Sequence, residues 1–112
     1  MAQRDERLYF AEILSAIDRA LEYTGGGREV FFADPKTQDA VVRNIEIIGE
    51  AVRGVSDATR QAHPEVPWSK IAGTRDRVIH GYFNVDLDII WEIVVKELPG
   101  LRQRIAALLS EN

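Results

Sequence analysis

Cysteine is absent from the chain. That removes disulfides, thiolate metal sites and a thiol nucleophile together, and it fits a reducing cytoplasm. Long apolar runs are missing too. No stretch approaches the ~20 residues of a membrane span, and "MAQRDERLYF" at the start lacks the apolar core of a secretion signal. A soluble cytoplasmic protein is expected. Basic excess is also lacking: fourteen lysines and arginines face eighteen aspartates and glutamates, a net charge of −4. An extended nucleic-acid surface is therefore disfavoured, but a small local phosphate site is not. Strand-like alternation is equally hard to find.

What the chain has is helical periodicity. At 112 residues it is sized for one domain, 1–112, with one core. Leu8, Ala11, Leu14, Ile17 and Leu21 form a stripe, with Phe10 and Ile13 beside it. This predicts a helix over 4–24, stopped by Gly25-Gly26-Gly27. After a short loop, Asp34 and Pro35 supply an N-cap and first turn. Val41, Ile45, Ile48 and Val52 then run to Gly54. A short helix is expected over 56–63, with Ser56 as cap and Pro64 and Pro67 beyond it. A long helix over 67–82 follows, and a last one from Asp86 that keeps phase through Pro99 and is therefore expected to kink there. Short connections between amphipathic helices predict an all-α, antiparallel four-helix bundle with an additional short helix. The surplus of apolar residues off the main stripes would serve a homodimer interface.

The chemistry concentrates in Arg75 to Phe83, "RDRVIHGYF", which holds one of the two histidines. On one continuous helix Arg75 and Tyr82 fall about 20° apart, and Asp76 and His80 lie one turn apart. Aspartate would then orient the imidazole and favour its protonated form. Arg75 and His80, however, stand about 140° apart on that helix. Either the helix changes geometry near Gly81 or a second chain completes the site. Arginine clamps phosphate and histidine moves protons near neutral pH. The pair suits RNA phosphodiester cleavage, in which the 2′-hydroxyl attacks phosphorus and the 5′-oxygen leaves. Neither a metal nor a cofactor is called for.

The plainer readings stand beside this one. On residues alone, Arg, Asp and His on a helix are more often solvated or salt-bridging groups. His63 before Pro64 reads as a helix C-cap. The triple glycine lacks the Lys-Ser/Thr that would make a P-loop. Gly49 in mid-helix costs about 1 kcal/mol against alanine, which suggests close helix packing. Glu50 faces either a basic partner or solvent, and Trp68 and Trp91 read as core.

These residues resemble the HepT-like branch of the HEPN superfamily, whose hallmark is Arg, a polar residue, three more residues, His, any residue and Tyr. Here that is Arg75, Asp76, Arg77-Val78-Ile79, His80, Gly81, Tyr82. "IGEAV" at 48–52, "PEVPWSKIAGTRDRVIHGYFNVD" at 64–86 and the "LP" before the last apolar run extend the resemblance over most of the chain. Thr74 stands where an apolar residue is expected. The resemblance implies a homodimeric bundle whose motifs face one cleft, and a metal-independent endoribonuclease that is the toxin of a toxin–antitoxin pair. The implied antitoxin is an MntA-like minimal nucleotidyltransferase that transfers AMP to the motif tyrosine. Arg75 would hold the phosphate, His80 would be the general base or acid, Asp76 its polar companion, and Tyr82 a site residue and AMP acceptor. Arg77, Lys70, Arg53 and Arg43 are candidate RNA contacts. The alternative is a non-catalytic HEPN subunit that binds a nucleotide or substrate and docks a nucleotidyltransferase. A third possibility is a purely structural dimer.

Overall fold

Helix α1 begins where Asp5 accepts a hydrogen bond from the Arg7 amide at 2.9 Å, and it runs Glu6–Tyr23. The computed structural model describes residues 5–80 and 84–110, apart from the side chains of His80 and Asn84. Thr24 ends α1 by donating its hydroxyl to the Ala20 carbonyl at 2.8 Å. Gly27 then turns the chain with φ of 95°, a left-handed value that suits glycine. The buried face of α1 is Phe10, Ile13, Ala16, Ile17 and Ala20. The expected stripe was rotated from this: Leu8 is 51% exposed, and Leu14 and Leu21 only flank the core. Two overlapping apolar stripes compete on this helix. The one carrying small Ala16 and Ala20 is the one buried.

Helix α2, Arg28–Ala33, occupies what the sequence suggested was loop. Six residues are too few to show a period. Its anchor is Phe31, which is 1% exposed and sits 5.6 Å from the Trp91 ring. Asp34 caps α3, Pro35–Arg53, by accepting from the Lys36 amide at 3.1 Å. Val41, Ile45, Ile48 and Val52 are buried as expected. Gly49 lies where a Cβ would meet the Ile71 and Ala72 carbonyls at 3.5 Å, so the backbones do pack closely there. Helix α4, Asp57–Ala62, is capped by Ser56 and closed by His63. His63 Nδ1 also lies 3.4 Å from a Glu65 carboxylate oxygen.

The expected helix over 67–82 is corrected here. It is two short helices, α5 (Trp68–Ala72) and α6 (Thr74–Val78), and it ends before the motif does. At the joint the Thr74 hydroxyl donates to the Ile71 carbonyl at 2.6 Å, within a residue only 6% exposed. This gives the unexpected threonine a structural role. At Ile79 the backbone turns extended (φ −107°, ψ 113°). Strand β1 (Ile79–His80) pairs antiparallel with β2 (Asn84–Val85), and the Asp86 amide donates to the Val78 carbonyl at 2.7 Å. Adjacent β-branched Val78 and Ile79 favour that change.

Asp86 caps α7, Leu87–Glu92, by accepting from the Ile89 amide at 3.1 Å. A π-helical turn, Ile93–Glu97, joins α7 to α8, Leu98–Ser110; the Leu98 amide donates to the Ile93 carbonyl, five residues back. Pro99 has no amide hydrogen to give, so the misfit settles in the turn before it. The kink expected near Pro99 takes this form. Four helical legs (α1, α3, α5–α6 and α7–α8) enclose one apolar cluster that includes Ile13, Ile45, Val78, Ile90 and Ile105. Among the described residues no helix is long and apolar enough to cross a membrane.

Candidate active site

Helix α6 is a single turn and a half that carries Arg75, Asp76 and Arg77 between two acidic anchors. Val78, fully buried, pins it to the core. Arg75 points toward α3, where its Nε donates to Glu46 Oε2 at 3.2 Å; the arginine side chain is 58% exposed. Arg77 points the other way, to the π turn. Its two terminal nitrogens donate to the two oxygens of Glu97 at 3.0 and 2.8 Å. Hydrogen bonding from Arg77 holds the Glu97 carboxyl below its ordinary range, outweighing its partial burial. The same bond raises the Arg77 guanidinium.

The other expected basic contacts divide similarly. Lys70 lies 3.7 Å from Glu97. Arg53 donates to Glu50 at 3.1 Å and to the Ala72 carbonyl at 3.2 Å, so it clamps the end of α5 onto α3. That also answers where Glu50 faces: its basic partner is on its own helix. Arg43 is exposed on the face of α3 that carries Glu46 and Glu50. Asp76 is exposed on α6. The i, i+4 pairing of Asp76 with His80 and the 140° separation both assumed a helix through 82, and α6 ends at Val78. The His80 side chain and all of Tyr82 lie outside the described residues.

A groove of about 500 Å³ runs beside Arg75, lined by Gln38, Asp39, Val42, Glu46, Val85 and Leu87. Glu46 is the partner of Arg75, and Val85 is paired with Ile79 next to His80. The groove thus holds the carboxylate partner of Arg75 and the strand partner of Ile79, the residue before His80. Sequence reasoning missed both carboxylates that position the arginines. Glu46 lies 29 residues from Arg75 and Glu97 lies 20 from Arg77, so no local spacing links them. A hint for Glu46 was its place one turn before Glu50 on the polar face of α3. Among the described residues no cluster of three or more histidines or carboxylates could hold a metal ion.

Trp68 is buried, its indole donating to the His63 carbonyl at 2.9 Å, and Trp91 packs against Phe31 at the core's edge. Neither contributes to the groove.

The chain matches known proteins over most of its length. The family described as "Ribonuclease HepT-like" matches residues 13–108. "Probable ribonuclease HepT" of Thermococcus cleftensis is 38% identical over 110 residues, covering 95% of this chain and 97% of that protein. "Putative RNase TTE0752" of Caldanaerobacter subterraneus subsp. tengcongensis is 42% identical over 107 residues, covering 95% and 96%. In Methanocaldococcus jannaschii, a protein named "Gamma-glutamylcyclotransferase and putative RNase MJ0434" is 39% identical over 110 residues, which are 97% of this chain but 50% of that one. No solved structure gives a significant match. With a family match over nearly its whole length and relatives of equal length above 30% identity, the chain belongs to the ribonuclease HepT-like family of the HEPN superfamily.

Proposed function

We propose that the chain is a metal-independent endoribonuclease that works at a cleft between two copies, and that it is the toxin of a toxin–antitoxin pair. The observation that carries this reading is the position of Arg75. It is exposed and held by one carboxylate, Glu46, which lines a groove together with Val85, the strand partner of Ile79 beside His80. An RNA phosphate can replace Glu46 on that guanidinium at little cost, because an exposed ion pair is worth under about 1 kcal/mol. Family membership supports the same assignment.

The reaction is a transesterification within RNA, in which a P–O2′ bond replaces the P–O5′ bond. A base takes the proton of the 2′-hydroxyl, the oxygen attacks phosphorus, and the P–O5′ bond breaks. An acid then gives the 5′-oxygen its proton, leaving a 2′,3′-cyclic phosphate and a 5′-hydroxyl. One imidazole cannot be base and acid in the same step. Two copies supply two His80 residues, one for each task, while Arg75 binds the charge developing on the equatorial oxygens. Asp39 and Glu46 make one chain's groove acidic, so cations from the second copy are also needed to hold RNA.

Tyr82 is the proposed point of control. Its oxygen attacks the α-phosphorus of ATP bound by an MntA-like nucleotidyltransferase, pyrophosphate leaves, and the phenolic proton is released. The added AMP puts bulk and negative charge into the cleft and repels RNA.

Purified wild type, Arg75→Ala and His80→Ala are compared on RNA in the presence of EDTA, with products analysed for cyclic phosphate. Cleavage by the wild type alone is expected. Equal activity in all three, or loss on chelation, would remove the Arg/His mechanism. A folded wild type that cuts nothing, yet forms a stable complex with the nucleotidyltransferase, would favour the docking subunit instead. Intact mass after incubation with that enzyme and ATP tests control: an AMP increment is expected on wild type and not on Tyr82→Phe.

A further inference from the structure

A second concavity, of about 320 Å³, lies between α3, α5 and the π turn leading into α8. It shares no lining residue with the groove beside Arg75. Its floor is aliphatic: Ile48, Ile71, Ile93 and Leu101, each buried by the fold on its other sides. Its rim carries three cations, Lys96, Arg104 and Lys70, the last of them 3.7 Å from Glu97. The rim's acid, Glu97, offers little free negative charge, since both its oxygens accept from Arg77. Lys96 has only an exposed i, i+4 contact with Glu92 at 3.4 Å. Among the described residues Arg104 has no carboxylate within ion-pair distance.

Gly100 also lines this cleft, in the first turns of α8. A Cβ built there would meet nothing within 4 Å. Its backbone is ordinary, because the one positive φ among the described glycines is at Gly27. Neither crowding nor dihedral strain within the chain accounts for glycine at a helical position where alanine is favoured. A side chain at 100 would instead narrow the mouth of the cleft.

We propose that this cleft is a binding site for a small amphipathic anion, with the apolar body on the isoleucine and leucine floor and the carboxylate, sulfonate or phosphate among Lys70, Lys96 and Arg104. The volume lies at the lower end of small-ligand sites, about 300–1,000 Å³, so the ligand is a single ring system or a short acyl chain. Opposite-charge contacts at a partly enclosed rim give the head its preference, and floor area gives most of the affinity. The proposal is independent of ribonuclease activity.

The probe is 8-anilino-1-naphthalenesulfonate, followed by fluorescence on the full chain. Saturable binding of one probe per chain is expected. Decanoate should displace it, and decyltrimethylammonium, with the same tail and opposite charge, should not. Lys96→Glu with Arg104→Glu, both on the exposed rim, should weaken the probe by about tenfold. Gly100→Leu should abolish saturable binding while raising the Tm, since a helical glycine is removed. Non-saturating fluorescence, equal displacement by the cationic detergent, or unchanged affinity in a folded Gly100→Leu variant would each overturn the proposal. So would probe binding that falls as protein concentration rises, with a mass shift in sedimentation, because a second copy would then be the occupant.

Discussion

Two arginines two residues apart on α6 live in opposite circumstances. Arg75 makes one 3.2 Å contact with Glu46 and leaves more than half of its side chain in solvent. Arg77 makes two contacts with Glu97 and is 31% exposed. A forked, half-buried pair is held by geometry as well as charge, and breaking it strands a carboxylate. An exposed single contact exchanges partners freely. Charge counting in "RDR" treats the two as equals. Their surroundings make one a fixture of the fold and the other a group available to an incoming phosphate.

The largest expected effect follows directly. Arg75→Ala should lower RNA cleavage by about 10²–10³-fold, the loss usual for one group stabilising transition-state charge. Its unfolding free energy should change by less than about 0.5 kcal/mol. Arg77→Ala should reverse the pattern, costing about 1–3 kcal/mol in urea unfolding through the unpaired Glu97. If Arg77→Ala instead left stability intact and removed cleavage, the two roles would have to be exchanged. The double change Arg77→Met with Glu97→Leu should recover much of the lost stability, because both polar partners go together.

Acid should expose the same contrast. Glu97 has its carboxyl held below its ordinary 4.5, chiefly by hydrogen bonding from Arg77. A group with a depressed folded value stabilises above its unfolded value and loses that contribution as pH falls through the folded one. The Arg77–Glu97 contribution should therefore be complete at neutral pH and fade below 4.5. Glu6 behaves likewise: bonds from Thr59 and the Ser56 amide outweigh its burial, tying α1 to α4. Urea titrations of wild type and Arg77→Met at stepped pH should converge as the solution becomes acid. Curves that stay parallel would show that Arg77 does not change the proton affinity of Glu97 in the folded chain.

How much of this was legible depends on range. The caps at Asp34, Ser56 and Asp86 and the buried sides of α3 and of the last helix are local signals, and the structure follows them. Helix α2 was too short to leave a period, and its anchor Phe31 is held by Trp91, sixty residues on. The end of α6 was misread for a related reason. Val78 and Ile79 fit a helical stripe, but pairing with Val85 and the bond from Asp86 favours extended backbone, and those contacts reach past the i, i+4 neighbours that a helical stripe reads. The candidate site was legible as residue types and opaque as wiring. Nothing near Arg75 in sequence points to Glu46, and nothing near Arg77 points to Glu97. The question of how one helix could aim Arg75 and His80 together changes once that helix stops at Val78. Arg75 lies on a helix and His80 on a strand, and the turn between them, not helical phase, sets their relation.

The smallest effect sharpens the comparison most. If Glu46 only parks the Arg75 guanidinium until phosphate arrives, it competes with RNA for the same nitrogens. Removing its charge should then strengthen RNA binding. An exposed pair worth about 0.2–1 kcal/mol sets the ceiling at about fivefold for Glu46→Gln, measured with the non-cleaving His80→Ala background. The amide keeps a hydrogen-bond acceptor near Arg75, so the geometry of the guanidinium survives while the competition ends. The gain should shrink as salt is raised, since added ions screen the carboxylate in the wild type. Weaker binding in Glu46→Gln would mean that the carboxylate orients Arg75 for phosphate rather than competing with it. Arg75 would then resemble Arg77 more than its exposure suggests, a residue whose carboxylate partner is part of how it works.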